Sequence, residues 1–335
     1  MGRVRYKETL SIQFRGVCLN RVEAGDLVSR CASLAALLEV SAYPKPGNVH
    51  RTRDLATTRF EHFLAGGIAT LPAMRRLALN GYETVKGKKS WNSIKVGSQI
   101  LRSVKESLVW QKGGNVNLGI MLLCSPLAAA GGAVLSEEAV IKRATLRGSL
   151  RNIITSTTSE DAVDVCKAIS LSAPEKVLGR VDELDVLDKS TINRIRREGL
   201  TLQDLFSKCA SRDSICSEWI TTFEIIFTEG YRYLRSSIER SIDTNSAIVN
   251  TFLHILSRHP DSLVRRKAGS EKASKMCEEA RAILTEGGAS SEAGLQSLWK
   301  WDDTLQRAGG LLNPGTTADL LAASIFILLL EGWRP

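Results

Sequence analysis

A long stretch without a single charged side chain, residues 113–135 (GGNVNLGIMLLCSPLAAAGGAVL), limits most strongly what this chain can fold into. A run of this length is long enough to suggest a membrane span. Two asparagines at its start, a proline near its middle and a pair of glycines near its end argue against one. We therefore predict a helix of small residues buried inside a bundle of other helices.

The rest of the chain also favours helices. Aromatic residues make up only 6% of the 335 residues, and apolar side chains recur at helical spacing in segments such as 27–42, 60–80 and 213–234. No alternation of strands and helices, Walker loop or dinucleotide-binding glycine triplet is visible. We predict an all-α fold, a single large multi-helix bundle with a central cleft over residues 26–335, preceded by an N-terminal extension at residues 1–25.

Charge is distributed unevenly along the chain, whose formal net charge is +9. Residues 1–150 carry 22 basic and 10 acidic side chains, whereas residues 151–335 carry 23 basic and 26 acidic ones. This pattern favours anion binding in the first half and carboxylate chemistry or metal binding in the second.

The cysteines indicate a reducing environment. There are seven, an odd number, without a CxxC pair or histidines at zinc-binding spacing, so we expect reduced thiols in the core. The first twenty residues mix charged and apolar side chains and do not resemble a signal peptide. We expect a cytoplasmic protein with no membrane partner.

Residues 44–62 (PKPGNVHRTRDLATTRFEH) combine rigid backbone with many charged and titratable side chains. The two prolines restrict the chain and the glycine permits a turn, which predicts a rigid, non-helical loop. Its cations Lys45, Arg51, Arg53 and Arg59 are suited to phosphate groups. The alternative is a solvated proline turn whose charges are incidental.

Three predicted helix starts, at residues 113–119, 157–164 and 313–320, place hydroxyl or amide side chains beside unpaired backbone N–H groups. Helix N-termini of this kind attract anions. In the second start, Asp161 and Asp164 share one helix face and are candidate Mg²⁺ ligands. The alternative is a capping box from Thr158 to Asp161. The same choice between cap and site applies to Asp319 in the third start.

Other candidates have equally plain structural alternatives. Glu61 and His62 follow the basic loop and are candidate proton donors or acceptors, although a histidine at a helix start is often a cap. Asp213 is a candidate base or an N-cap. Arg265, Arg266 and Lys267 suit a pyrophosphate group or form a solvated cationic turn.

Taken together, PKPG followed by a histidine near a helix start, N-x-N-x-G, an EDAxD helix and PGxxADLLA resemble the triphosphoribosyl-dephospho-CoA synthase family over residues 27–333. The resemblance implies an all-α, magnesium-dependent transferase that takes ATP and 3′-dephospho-CoA. It would release adenine and join the triphosphoribosyl group to the acceptor ribose. The product would be the precursor of the prosthetic group of citrate lyase and malonate decarboxylase carrier proteins.

Under this resemblance each candidate takes a role in displacement at the ribose C1′ atom of ATP. Phosphate binding is assigned to Lys45, Arg51, Arg53, Arg59, Arg265 and Lys267. Hydrogen bonds to adenine or ribose are assigned to Asn115 and Asn117, and Mg²⁺ to Asp161 and Asp164. Acid and base candidates are Glu61, His62 and Asp213, and Asp319 caps the helix that approaches a phosphate.

The sequence also departs from the family pattern. TRFEHF lacks the carboxylate that many members carry two residues after the histidine, Val116 replaces a threonine, and PEKVLG at residues 174–179 lacks a double glycine. These changes are compatible with another acceptor. Two alternatives remain: a helical nucleic-acid-binding protein that uses the basic half, which lacks a recognised reading motif, and a catalytically inactive interaction module.

Overall fold

The protein is built from α-helices that pack around one hydrophobic core running from Leu19 to Trp333. The computed structural model describes residues 18–172, 189–240 and 242–335. Within these ranges there is no β-strand, only an isolated bridge between His50 and Arg53. The predicted all-α bundle is therefore confirmed. Residues 174–179, where the sequence departs from the family pattern, lie outside the described residues.

The helices are numbered here in chain order. They are α1 (Arg21–Ser41), α2 (Phe60–Ala69), α3 (Leu71–Val85), α4 (Val96–Trp110), α5 (Leu118–Leu135), α6 (Arg143–Thr155), α7 (Ser159–Ser172), α8 (Lys189–Glu198), α9 (Leu202–Cys209), α10 (Ser214–Thr221), α11 (Tyr231–Glu239), α12 (Thr244–Leu256), α13 (Ser262–Ala268), α14 (Ser270–Thr285), α15 (Glu292–Gln306) and α16 (Gly315–Leu330). A π-helical turn, Ile226–Gly230, precedes α11.

The charge-free stretch forms α5, which lies in the centre of the bundle. By length and composition this helix could cross a membrane, but 94% of it is buried inside the protein. It packs against α1, α3, α4, α6 and α16. The second apolar helix, α16, is almost entirely buried as well. The prediction of a buried small-residue helix is confirmed.

Glycines allow α3 and α5 to approach each other backbone to backbone. A Cβ atom on Gly81 would lie 2.0 Å from the carbonyl oxygen of Ala129, and one on Gly132 would lie 2.0 Å from that of Ala78. No side chain fits at either position, because the obstructing atoms belong to the opposite backbone. These two glycines therefore fix the distance between the central helices.

The first helix begins earlier than the sequence pattern suggested. It starts at Arg21 rather than at residue 27, because Asn20 accepts hydrogen bonds from the N–H groups of Val22 and Glu23. The Glu23 carboxylate in turn accepts from the Asn20 N–H at 2.9 Å. This capping box recruits the polar residues before the apolar stripe into the helix.

Two predicted helices are interrupted. The segment 60–80 divides into α2 and α3 at Thr70, where Pro72 occupies the first turn of the second helix. The long apolar segment that starts at Asp213 breaks after α10, because Thr222 and Phe223 both adopt left-handed backbone with φ of 54° and 59°. Apolar periodicity continues across both breaks, which is why it did not reveal them.

The prediction that all cysteines are reduced core thiols is wrong. Cys209 ends α9 and Cys216 lies in the first turn of α10, and the tight connection brings their Cα atoms to 5.8 Å, where they form a disulfide. Cys18 is free but exposed. The other four cysteines are free and buried, as expected.

We predict that Gly132→Ala lowers the free energy of unfolding by about 1–3 kcal/mol, because the added methyl group forces α3 and α5 apart. Gly148→Ala is the matched control. Gly148 lies within a helix but has no atom within 4 Å of its would-be Cβ, so the change should be neutral or stabilise by up to about 1 kcal/mol. Urea unfolding of both variants measures the difference, and equal effects would contradict this account of the packing.

Candidate functional site

A cavity of about 260 Å³ opens where several helices begin. Its wall includes the first turn of α5, the N-cap and first turn of α10, and the first turns of α13 and α16. Residues 48–49 complete it; they belong to the basic loop predicted within residues 44–62, which we call the proline loop. Helix starts present unpaired backbone N–H groups, so such a wall suits an anionic ligand. Two of the three helix starts singled out from the sequence, 113–119 and 313–320, thus meet the proline loop at one place.

The proline loop is held against α15 by the buried carboxylate of Asp302. Its Oδ1 atom accepts a hydrogen bond of 2.9 Å from the Gly47 N–H, and its Oδ2 atom lies 3.2 Å from Nε2 of His50. Gly47 has a φ of +76°, and a Cβ there would lie 2.6 Å from the carbonyl oxygen of Leu312. The loop is therefore rigid, as predicted, and presents Asn48 to the cavity.

Lys45 does not extend into solvent as a phosphate ligand. It is fully buried and forms an ion pair with Glu39, which lines the cavity. Burial raises the pKa of Glu39, and the Lys45 ammonium opposes that rise. Burial lowers the pKa of Lys45, and the charge of Glu39 and, more weakly, that of Asp319 oppose the fall. Lys45 thus pairs with Glu39, and Asp319 lies within electrostatic range without an ion pair of its own to it.

The other cations of the loop lie on its outer side and do not line the cavity. Arg51 stacks over the Tyr43 ring at 4.8 Å and donates a hydrogen bond to the Ser41 carbonyl oxygen. Arg53 pairs with Asp303. Arg59 precedes α2. Arg51 and Arg53 thus brace the loop through partners within the protein, a role that differs from the incidental charge of the solvated-turn alternative.

Asp319 of α16 points toward the start of α5. A Cβ on Gly119 would lie 2.0 Å from its Oδ2 atom, so only glycine permits this approach. Burial raises the pKa of Asp319 well above its usual value, and the nearby carboxylates, Glu39 first, raise it further. A hydrogen bond from the backbone N–H of Ile120 opposes the rise. Asp319 therefore holds a proton more readily than an ordinary aspartate does.

Asp213 and Arg266 form another part of the cavity wall. Asp213 caps α10 through the N–H groups of Ile215 and Cys216, and its second oxygen lies 3.3 Å from Arg266. The predicted neighbours of Arg266 point elsewhere: Arg265 donates to the Ser211 carbonyl oxygen. Lys267 donates to that of Gly310, and neither of these two residues lines the cavity.

Asp261 joins two of the helix starts. Its Oδ1 atom accepts from the N–H groups of Leu263 and Val264 in α13, at 2.9 and 3.0 Å. Its Oδ2 atom accepts from the N–H and hydroxyl of Thr317 in α16, at 2.7 and 2.8 Å. Burial raises the pKa of Asp261, and these hydrogen bonds oppose the rise. The carboxylate thereby fixes α16, which carries Asp319.

Asn115 and Asn117, both predicted to bind adenine or ribose, lie in different surroundings. Asn115 lines the cavity, and its Oδ1 atom accepts a hydrogen bond of 3.2 Å from the Leu118 N–H. Asn117 is buried and does not line the cavity; its side chain packs against Gly66 of α2. Val116, which replaces the family's threonine, lies in the cavity wall between them. Phe63, which follows His62 in the divergent TRFEHF segment, also lines the cavity.

Glu61 and His62 lie outside the cavity wall. The Nδ1 atom of His62 accepts a hydrogen bond of 3.1 Å from the Arg59 N–H, so this histidine caps α2. Its ring packs against Gly113, where a Cβ would come within 2.2 Å. Glu61 is exposed. Of the three acid and base candidates, the structure places Asp213 alone at the cavity.

The helix start at residues 157–164 also lies away from the cavity, although Ile169 further along α7 reaches it. Asp161 accepts hydrogen bonds from the N–H and hydroxyl of Thr158 and from the Gly97 N–H, each at 2.8–2.9 Å. Asp164 pairs with Lys167 at 3.2 Å. This is the capping box that was the alternative to a metal site, and it occupies the oxygens of Asp161 that Mg²⁺ would need.

The sequence did not single out three wall residues: Glu39, Asn48 and Asn313. Glu39 had a signal, because a lone acid within the apolar residues 34–40 of a helix must be buried or paired. Asn48 and Asn313 lie inside the motifs PKPGN and NPG, whose neutral amides carry a weaker signal than charged side chains do. Of the candidate cations Arg265, Arg266 and Lys267, the structure places Arg266 alone in the cavity wall, and the sequence does not give the direction of the helix face that selects it.

Comparisons with known proteins show the family of this chain. The family model described as ATP:dephospho-CoA triphosphoribosyl transferase matches residues 26–335. The 2-(5″-triphosphoribosyl)-3′-dephosphocoenzyme-A synthase of Klebsiella pneumoniae is 23% identical over 300 residues, which are 88% of this chain and 87% of that protein. A relative in Azotobacter vinelandii, named as a probable synthase of this type, is 35% identical over 109 residues, 32% of this chain and 37% of its own.

A solved structure gives the same answer for the fold. The crystal structure of a candidate triphosphoribosyl-dephospho-CoA synthase from Archaeoglobus fulgidus superposes with a TM-score of 0.60 at 29% sequence identity. The match covers 82% of this chain and all of that one. Nothing in these comparisons favours a nucleic-acid-binding protein. The chain belongs to the ATP:dephospho-CoA triphosphoribosyl transferase family.

Proposed function

We propose that the protein uses this cavity to transfer the triphosphoribosyl group of ATP to the 2′-hydroxyl of 3′-dephospho-CoA, with release of adenine. The observation that carries this proposal is the pair of carboxyl groups, Glu39 and Asp319, in the wall of a cavity that helix starts also line. Displacement at a sugar carbon needs a proton for the leaving group and a base for the attacking hydroxyl. It also needs the charged phosphates held in place.

The two carboxyl groups suit opposite roles because their surroundings differ. Asp319 has no ion-pair partner among the described residues, and its raised pKa favours the protonated acid. It is therefore the donor that we assign to the departing adenine. Glu39 forms an ion pair with Lys45 and is the base that we assign to the acceptor hydroxyl. The positive charge of Lys45 stabilises the ionised form of Glu39.

The triphosphate is assigned to Arg266 and to the helix starts in the wall. Arg266 is the basic side chain among the residues that line the cavity.

Magnesium is a further proposal. In the described ranges no group of three or more metal-binding side chains converges, but Mg²⁺ that enters with a nucleotide needs only one or two protein carboxylates. Asp213, beside Arg266, is the carboxylate that we assign to it. A protein acting on ATP in this way would work in the cytoplasm.

The direct test is to incubate the protein with ATP, Mg²⁺ and dephospho-CoA. We expect free adenine, together with a coenzyme product heavier by one triphosphoribosyl group, detected by chromatography and mass spectrometry. Random-sequence oligonucleotides should not compete. Absence of adenine, combined with salt-sensitive oligonucleotide binding, would contradict the proposal and favour the nucleic-acid alternative. Adenine without the expected adduct would retain the donor half and reject the acceptor.

Asp319→Asn should lower kcat by about 10²–10⁴, the usual contribution of a general acid. The same change should raise stability at pH values above the ordinary aspartate pKa of about 4. Because folding raises the pKa of Asp319, the folded state retains a proton that the unfolded state releases, and stability falls as pH rises toward the folded-state pKa. Asparagine removes that loss. Melting temperatures at several pH values, with Asp26→Asn as the control at a surface ion pair, measure it; a variant that is less stable at every pH would contradict it.

Arg266→Met should raise KM for ATP by about ten- to a hundredfold, since hydrogen bonds to charged groups contribute about 1.5–3 kcal/mol. Arg265→Met, one residue away on the same helix, should have a much smaller effect, because this side chain contacts the Ser211 carbonyl oxygen outside the cavity. Steady-state kinetics with varied ATP separates the two. A larger effect at Arg265 would restore the assignment made from the sequence.

A further inference from the structure

Two side-chain amides in the cavity wall have polar atoms that no protein atom satisfies. Within the described part of the chain, Nδ2 of Asn48 and Oδ1 of Asn313 are both buried and have no hydrogen-bond partner. Asn48 is only 5% exposed, and both residues line the cavity. Buried polar groups without a partner are rare in native proteins and need an explanation. A ligand in the cavity is the explanation that the location offers.

Asn48 and Asn313 lie on neighbouring loop segments. Gly47 is so close to residue 312 that a Cβ would lie 2.6 Å from the Leu312 carbonyl oxygen. The backbone carbonyl of Asn48 accepts a hydrogen bond of 2.8 Å from Gln306. Each asparagine directly follows one member of the Gly47–Leu312 contact, and both line the cavity. We therefore place the unpartnered amide donor of Asn48 and the unpartnered amide acceptor of Asn313 in the same part of it.

The chemistry of this pair selects the ligand group. A phosphate oxygen only accepts hydrogen bonds and would leave the Asn313 oxygen unsatisfied. A sugar hydroxyl accepts from one amide and donates to the other at the same time. Glu39 and Asp319, which we place around the ribose C1′ atom, line the same cavity. The hydroxyl nearest to C1′ is the 2′-hydroxyl, and hydrogen bonds to the equivalent group strengthen in glycosyl transfer.

We infer that Asn48 and Asn313 bind the 2′-hydroxyl of the ATP ribose and thereby select ribonucleotides over deoxyribonucleotides. This inference rests on the proposed function, since it specifies which part of the donor the two amides recognise. Asn115 provides a matched contrast: it is the same residue type in the same wall, but its oxygen is satisfied by the Leu118 N–H.

The test compares kcat/KM for ATP and 2′-deoxy-ATP in adenine release. The wild type should prefer ATP by about a hundredfold or more, because a site that binds a hydroxyl rejects the analogue without it. Asn48→Ala and Asn313→Ala should each lower this preference by about tenfold or more. Asn115→Ala should leave the preference unchanged whatever it does to the rate. Comparing variants cancels the different intrinsic reactivity of the two nucleotides.

The outcomes are distinct. A preference that survives in both variants, or that falls equally in Asn115→Ala, would overturn the inference. Inosine triphosphate, whose base lacks the exocyclic amino group, tests the other possible ligand: if the two variants alter the preference between ATP and inosine triphosphate instead, the amides read the base and the inference is wrong.

Binding supplies a second measurement that does not depend on turnover. With Mg²⁺ and no acceptor, ATP should raise the melting temperature of the wild type more than 2′-deoxy-ATP does, and both variants should lose this difference. If no adenine is released, the proposed function is rejected, but the inference is still open to test. The difference between the melting-temperature shifts with ATP and with 2′-deoxy-ATP then decides whether Asn48 and Asn313 bind the 2′-hydroxyl. Asn48→Ala itself should melt no lower than Asn115→Ala, because it breaks no protein hydrogen bond of its amide nitrogen. A lower melting temperature would mean a structural role and would contradict the inference.

Discussion

The carboxylate of Asp261 is the interaction on which the site depends. It binds the start of α13 and the start of α16 at once, through four hydrogen bonds. Because α16 carries Asp319 and the preceding residues carry Asn313, the position of both follows from this one cap. A buried carboxylate is costly to desolvate, and backbone N–H groups of helix starts are the donors that offset the cost. Other N–H groups of the helix starts in the cavity wall are suited to bind the phosphates of a nucleotide.

Acidic groups gather in and beside the cavity, and their mutual repulsion opposes stability. After burial, the charges of Glu39, Asp261 and Asp213 each raise the pKa of Asp319 further. Lys45 is the buried cation within this group and compensates only part of the charge. Proteins retain such arrangements at functional sites, where a group with a shifted pKa performs proton transfer near neutral pH. The central helices, held backbone to backbone by Gly81 and Gly132, supply the rigidity that this arrangement needs.

The sequence predicted the fold well because its signals were local. A charge-free run with small residues can only be a buried helix, and prolines with glycine specify a rigid loop. It predicted the site partly, since helix starts and the loop could be found but not their partners. Whether Asp161 binds a metal or caps a helix depends on Gly97, which is 64 residues away along the chain. Likewise Lys45 reads as an exposed phosphate ligand until its partner Glu39 is known.

ATP is expected to bind inside the cavity with its ribose between Glu39 and Asp319. A crystal structure of the Asp319→Asn protein with ATP and Mg²⁺ tests this most directly. We predict the adenine base within hydrogen-bond reach of residue 319, about 3 Å, and the triphosphate against Arg266. A nucleotide bound on the outer face of the proline loop, with its phosphates on Arg51, Arg53 and Arg59, would contradict it.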